Sequence, residues 1–217
     1  MTLQALFRYY AQALTDLLEE EGIVFRAYAD PLLPYFSLLS NDEQQAVVDN
    51  IRLYSEICSR VHKQDGSLTD NAHMVKAALE ILGLTVKQDD LSLIEPDHFI
   101  EMYGINHIQI FRSFSILENT TYTFEDLACR KWYHLYERAP KDHQKTTEKV
   151  MEFWGQKPPI RMAPGLGIQA IQEKASLENL VCISEIEWLI PLWKGDDFAG
   201  AMTLIRDHGR GAKTGKI

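Results

Sequence analysis

The chain has 217 residues, 46% of them hydrophobic and 24% charged, with a formal net charge of −9. That length and balance support a buried core and exclude disorder as the main state. No window approaches the roughly 18 apolar residues of a membrane span, and the first 22 residues, with acids inside their apolar stretch, make a poor secretory signal.

Leu3, Phe7, Tyr10, Leu14 and Leu17 recur at intervals of four and three and mark one face of a helix that stops at Gly22. Such a face packs either on its own chain or on a second copy, so a homodimer through it is an expectation to test. After Asp30-Pro31 and Pro34, the run Ser40-Asn41-Asp42-Glu43 offers a capping side chain followed by acids suited to a helix dipole. It predicts a helix over about 42–62 with Val47, Ile51, Tyr54, Ile57, Cys58 and Val61 inward. Thr69 or Asp70 caps a further helix over 70–82, with Gly83 as its stop.

Two short apolar runs, 84–87 and 91–94, flank the polar triplet Gln88-Asp89-Asp90 and predict a β-hairpin. Helix, turn, helix and hairpin over residues 40–94 resemble a winged helix-turn-helix, with the helix over 70–82 in the reading position. That resemblance implies Asn71, His73, Lys76 and Lys87 as DNA contacts. The composition pulls the other way. Residues 1–95 hold 7 Lys and Arg against 15 Asp and Glu, while the rest holds 15 against 16. An acidic half is poorly suited to phosphate neutralisation, and its reading helix has no arginine for a guanine.

Glu95-Pro96-Asp97 is the expected boundary between a helical domain over 1–94 and a second domain over 95–208, with a loose tail over 209–217. Beyond it, alternation predicts a strand over 108–117. Helices follow across 123–138 and 142–154, the latter ending at Gly155. Strands are predicted near 166–173, 181–193 and 198–206, the last two forming a hairpin across Lys194-Gly195-Asp196-Asp197. Alternation along the long strand puts Cys182, Ser184, Ile186, Trp188, Ile190 and Leu192 on one face.

This order, together with the run from Trp188 through the Gly-Asp-Asp turn to Asp207 and the segment Tyr133–Asp142, resembles a PAS-type sensor domain. The resemblance implies an α+β fold: an antiparallel sheet flanked by helices, behind a helical N-terminal domain with a winged-helix-like hairpin. It also implies a pocket for a small-molecule ligand or a surface for a signalling protein. Phe111, Phe114, Trp132, Tyr136, Phe153 and Trp188 are the aromatic candidates to line that pocket, or else they fill a core.

No reactive motif stands out. There is no G-x-S-x-G elbow, no H-E-x-x-H, and no phosphate loop after Pro164-Gly165-Leu166-Gly167. Cys58, Cys129 and Cys182 are odd in number, far apart and without CxxC spacing. They argue for a reducing compartment and against structural zinc. A PAS-type domain can hold haem through a histidine such as His134 or His143, but nothing marks a second ligand, so no cofactor or metal is expected. The reading is a cytoplasmic, signal-responsive regulator without catalytic residues, acting on DNA as a transcriptional regulator. The alternatives are an adaptor acting on proteins alone and a small enzyme with an unrecognised site.

Overall fold

Ser40 and Asp70 start the two main N-terminal helices by the chemistry their sequence contexts announce. Ser40 and Glu43 exchange hydrogen bonds in a capping box at the head of α3 (Asn41–Lys63). Asp70 accepts from the N–H groups of Ala72 and His73 at the head of α4 (Asn71–Leu82), and Gly83 ends α4 at φ +65°. Before them lie α1 (Leu3–Glu20) and the single turn α2 (Pro34–Ser37). The structure is a computed structural model describing residues 1–176, 178 and 180–211. Residues 212–217 of the expected tail lie outside the described residues, whereas 209–211 belong to the last strand.

The remainder is a six-stranded antiparallel sheet with helices between its strands. In chain order it comprises α5 (Gln88–Leu91), β1 (His98–Gly104), β2 (Gln109–Arg112), α6 (Phe114–Asn119), α7 (Phe124–Cys129) and α8 (Trp132–Leu135). Then come β3 (Tyr136–Glu137), α9 (Pro140–Gly155), β4 (Gln169–Glu173), β5 (Val181–Lys194) and β6 (Asp197–Gly211). The spatial order is β2-β1-β6-β5-β4-β3. The predicted closing hairpin forms, with Val181 to Lys194 on β5 paired to Gly211 to Asp197 on β6. Gly200 sits where β6 meets β1, and a Cβ there would lie 2.0 Å from the Tyr103 carbonyl oxygen, so only glycine permits this approach.

One face of this sheet is closed by the N-terminal helices. Ile100, Met102, Ile190, Leu192, Met202 and Leu204 join a single buried cluster with Phe7, Leu14, Ile51 and Tyr54. The Tyr54 ring packs at 5.9 Å from both Phe111 and Phe114, and its hydroxyl donates to the Arg112 carbonyl at 2.8 Å. The core is therefore continuous across Glu95-Pro96, the boundary expected between halves. Of the expected apolar stripe of α1, Phe7 and Leu14 are buried in this core with Ala11 and Leu18, while Leu3, Tyr10 and Leu17 pack against it partly buried.

Three local expectations are corrected. Residues 84–94 form no hairpin. Thr85 instead makes an isolated bridge to Trp193, and Gln88–Leu91 is a helical turn. The cause is distant: Asp90, expected in a solvent turn, is buried and paired at 2.9 Å with Arg161, whose guanidinium lies over the Trp188 ring. The strand expected over 108–117 is only four residues long, because Ser113 starts α6 while its hydroxyl accepts from the Ile100 N–H. The pairing strand β1 was missed, since it is central, buried along nearly its whole length and shows no polar–apolar alternation. Finally, the β5–β6 register shifts between Ile186 and Trp188, so the face expected to carry Cys182 through Leu192 changes sides midway.

Candidate functional site

The other face of the sheet is not fully packed. Between it and α9 lies a partly enclosed cavity of about 100 Å³. Alternate residues of the central strands floor it: Phe99, Glu101 and Tyr103 from β1, and Ala201, Thr203 and Ile205 from β6. Because of the bulge, β5 contributes Cys182, Ser184 and Ile186, then Leu189, one residue beyond the strict alternation. Thr146, Val150 and Trp154 of α9 form the roof, and Ile116, Thr120, Trp132, Tyr136 and Arg138 close the ends.

The polar groups in and behind this wall are unevenly served. Glu101 is fully engaged, accepting from Tyr103 Oη at 2.7 Å and from Gln109 Nε2 at 2.8 Å. Burial, and after it the Glu101 carboxylate, push the Tyr103 hydroxyl well above its usual value, so it remains a donor. Arg138 donates through Nε to Gln169 Oε1 at 3.3 Å, and Thr146 Oγ1 donates to the same oxygen at 3.3 Å. Yet Arg138 Nη1, Gln169 Nε2 and Thr120 Oγ1 are buried with no hydrogen-bond partner. So are both terminal nitrogens of Arg112, which stands opposite Glu101 across the β1–β2 pair. Burial lowers the Arg138 pKa, the expected sign for a cation taken from water.

Two further wall residues, Cys182 and His107, are shifted by burial. Burial pushes the Cys182 thiol up to about 11, so it stays protonated near neutrality. His107, tilted against Trp154 with ring centroids 4.7 Å apart, is held below the ordinary histidine value first by burial and then by Lys131.

Of the six aromatic candidates, only Trp132 and Tyr136 line the cavity. Phe111 and Phe114 pack on the closed face against Tyr54. Phe153 lies beneath the roof with Leu189 and Ala201, and Trp188 turns to the opposite face with the main core. The polar lining was missed altogether, and no local pattern marks Glu101, Thr120 or Arg138 in the sequence. His134 and His143 are exposed and outside the cavity.

The DNA-contact candidates are not all exposed. Asn71 is buried, with its amide donating to the carbonyl oxygens of Glu95, Pro96 and His98, and so is unavailable to a ligand outside. His73 and Lys76 are exposed on α4, in a groove they share with Glu80, and His73 sits 3.5 Å from Asp70. Lys87 is exposed just before the acids Asp89 and Asp90.

One further cluster lies at the rim of the closed face. Ligand-capable atoms of Glu95, Asp97 and His98 approach within 4.8 Å of one another. Arg206 already occupies them, donating to Glu95 at 2.9 Å, to Asp97 at 2.7 Å and to Glu187 through Nε. His98 Nδ1 accepts from the Glu95 N–H, which assigns the proton of the neutral ring to Nε2, facing Glu187 at 2.9 Å. This is an ion-pair network that ties β1 to β6, not an open cation site. Among the described residues no helix is long and apolar enough to cross a membrane. Compared with protein-family models, curated proteins and solved structures, the chain matches none.

Proposed function

We propose that the chain is a ligand-responsive regulatory protein whose PAS-like half binds a small molecule between its sheet and α9. The observation that carries this reading is the cavity itself: an apolar hollow with buried, unserved hydrogen-bond donors in and behind its wall. A folded chain ordinarily fills such a space or satisfies such groups, because each unmade buried hydrogen bond costs about 1–3 kcal/mol. A bound molecule would supply both packing and partners. The element order supports the PAS-like half of the proposal: a strand pair, small helices, one longer helix and three closing antiparallel strands.

The output follows from the shared strands. Residues of β1 and β6 alternate between the cavity and the N-terminal helices, so a ligand that shifts one face biases the packing of the other. We assign the output to a protein partner in preference to DNA. The exposed side of α4 sets Lys76 and His73 beside Asp70 and Glu80, and the residues that follow it, 84–94, form no hairpin to serve as a wing.

Saturation-transfer NMR of the purified chain with a set of monocyclic compounds tests the binding step. Val150→Trp, which pushes a large side chain from the half-exposed α9 into the cavity, is expected to abolish the transfer. Transfer that is equal in both proteins would overturn the site. A gel shift at low salt that weakens with added salt and with Lys76→Ala would return the output to DNA.

A further inference from the structure

We infer that the cavity takes a small organic monoanion, a carboxylate on a compact apolar body, with its acid group held against Arg138. The inference rests on the ligand-binding reading above and names the class of ligand.

The first reason is the kind of partner that is missing. Arg138 Nη1 and Gln169 Nε2 can only donate, and Thr120 Oγ1 can donate. The orientation of the Gln169 amide is not arbitrary. Arg138 Nε has no acceptor capacity, so the amide oxygen must face it and the nitrogen must be the orphan. Acceptors are not in short supply by accident either: both oxygens of Glu101, the only carboxylate of the wall among the described residues, already receive hydrogen bonds. What the cavity lacks is therefore an acceptor-rich group, and a carboxylate presents two oxygens to the planar fork of a guanidinium.

The second reason is charge. Arg138 in the wall and Arg112 behind it carry two formal positive charges, and Glu101 carries one negative. Asp142, on the first turn of α9, acts on Arg138 from outside but makes no ion pair with it. One positive charge is left over in a region of low polarity, and a monoanion balances it where a phosphate dianion would overshoot. The third reason is size and surface. About 100 Å³, smaller than the roughly 150 Å³ apolar cavity that admits benzene, limits the apolar body to about one small ring. Phe99, Ile116, Ile171, Ile186 and Leu189 would be left facing water by an inorganic anion alone.

The test is calorimetric titration of the full chain near neutral pH with benzoate, with benzyl alcohol as a neutral counterpart and sodium sulfate as an inorganic anion. Benzoate is expected to bind about tenfold or more tightly than benzyl alcohol, the range of a charge-assisted hydrogen bond. Sulfate is expected neither to bind nor to compete. Arg138→Met should erase the preference for benzoate, and Arg138→Lys should keep part of it. Removing a half-served buried cation is expected not to unfold the chain, which near-UV circular dichroism of the variant checks. Should Arg138→Met fail to fold, the benzoate-to-benzyl alcohol ratio in the wild type and in Arg138→Lys decides. Equal binding of benzoate and benzyl alcohol, or benzoate binding indifferent to Arg138, overturns the monoanion and leaves the cavity reading standing. Sulfate binding at Arg138 with no contribution from an apolar body also overturns it. Failure of all three probes to bind overturns the ligand-binding reading together with this one.

Discussion

The two faces of one sheet are finished in opposite ways. Toward α1, α3 and α4, the strands present Ile100, Met102, Ile190, Leu192, Met202 and Leu204 to a continuous apolar core, capped by the Tyr54 hydroxyl on the Arg112 carbonyl. Toward α9, the alternate residues of the same strands enclose a hollow bordered by orphaned donors. Strands of period two supply both sets at once, so nothing in the backbone forces the difference. It comes from what is laid on each side. Long amphipathic helices complete one face, while the other is roofed by one half-exposed helix and the short turns of α6 and α8. The first face is packed throughout, and the second keeps a hollow.

Gly200→Ala is expected to break the comparison outright, because both faces depend on β6 lying against β1. A Cβ placed 2.0 Å from the Tyr103 carbonyl must move backbone, so we expect a loss of about 4 kcal/mol or more by urea denaturation, with both faces unfolding together. Retention of wild-type stability would mean that the two strands approach less closely than this.

A pair of enlargements measures the contrast directly. Ile51→Phe on α3 adds volume to a fully buried site on the closed face and should cost about 1–3 kcal/mol. Val150→Phe on α9 adds it beside the cavity and should cost under about 1 kcal/mol. Equal costs by thermal or urea unfolding would erase the distinction between the faces.

The smallest effect belongs to the rim network. The Arg206 hydrogen bond, with a lesser one from His98 and against the opposing effect of burial, holds the Glu187 carboxyl below its ordinary value of 4.5. A depressed carboxyl binds fewer protons folded than unfolded. Its contribution is present in full above pH 4.5 and disappears as pH falls through the lower folded value. Glu187→Gln should therefore lower stability slightly near neutrality and flatten the fall in stability over that acid window. An identical pH profile in the variant would show that Arg206 is satisfied by Glu95 and Asp97 alone.

Elements governed by local chemistry were legible in the sequence. Ser40 with Glu43, Asp70 and Gly83 set the limits of α3 and α4 through hydrogen bonds spanning a few residues. The β5–β6 hairpin was readable because its strands alternate around a short polar turn. Distant partners decided the rest. Asp90 reads as a turn residue until Arg161, 71 positions away, pairs with it. β1 reads as nothing in particular, because burial on both faces removes the alternation that marks a strand. Of the six aromatic candidates only Trp132 and Tyr136 reach the cavity, and a one-residue bulge sends Trp188 to the other side. Glu101, Thr120 and Arg138 carry no local signature at all. What makes them a candidate site is that the fold brings them together out of water and leaves Thr120 and Arg138 with fewer partners than their chemistry requires, and a shortage of partners exists only after the chain has folded.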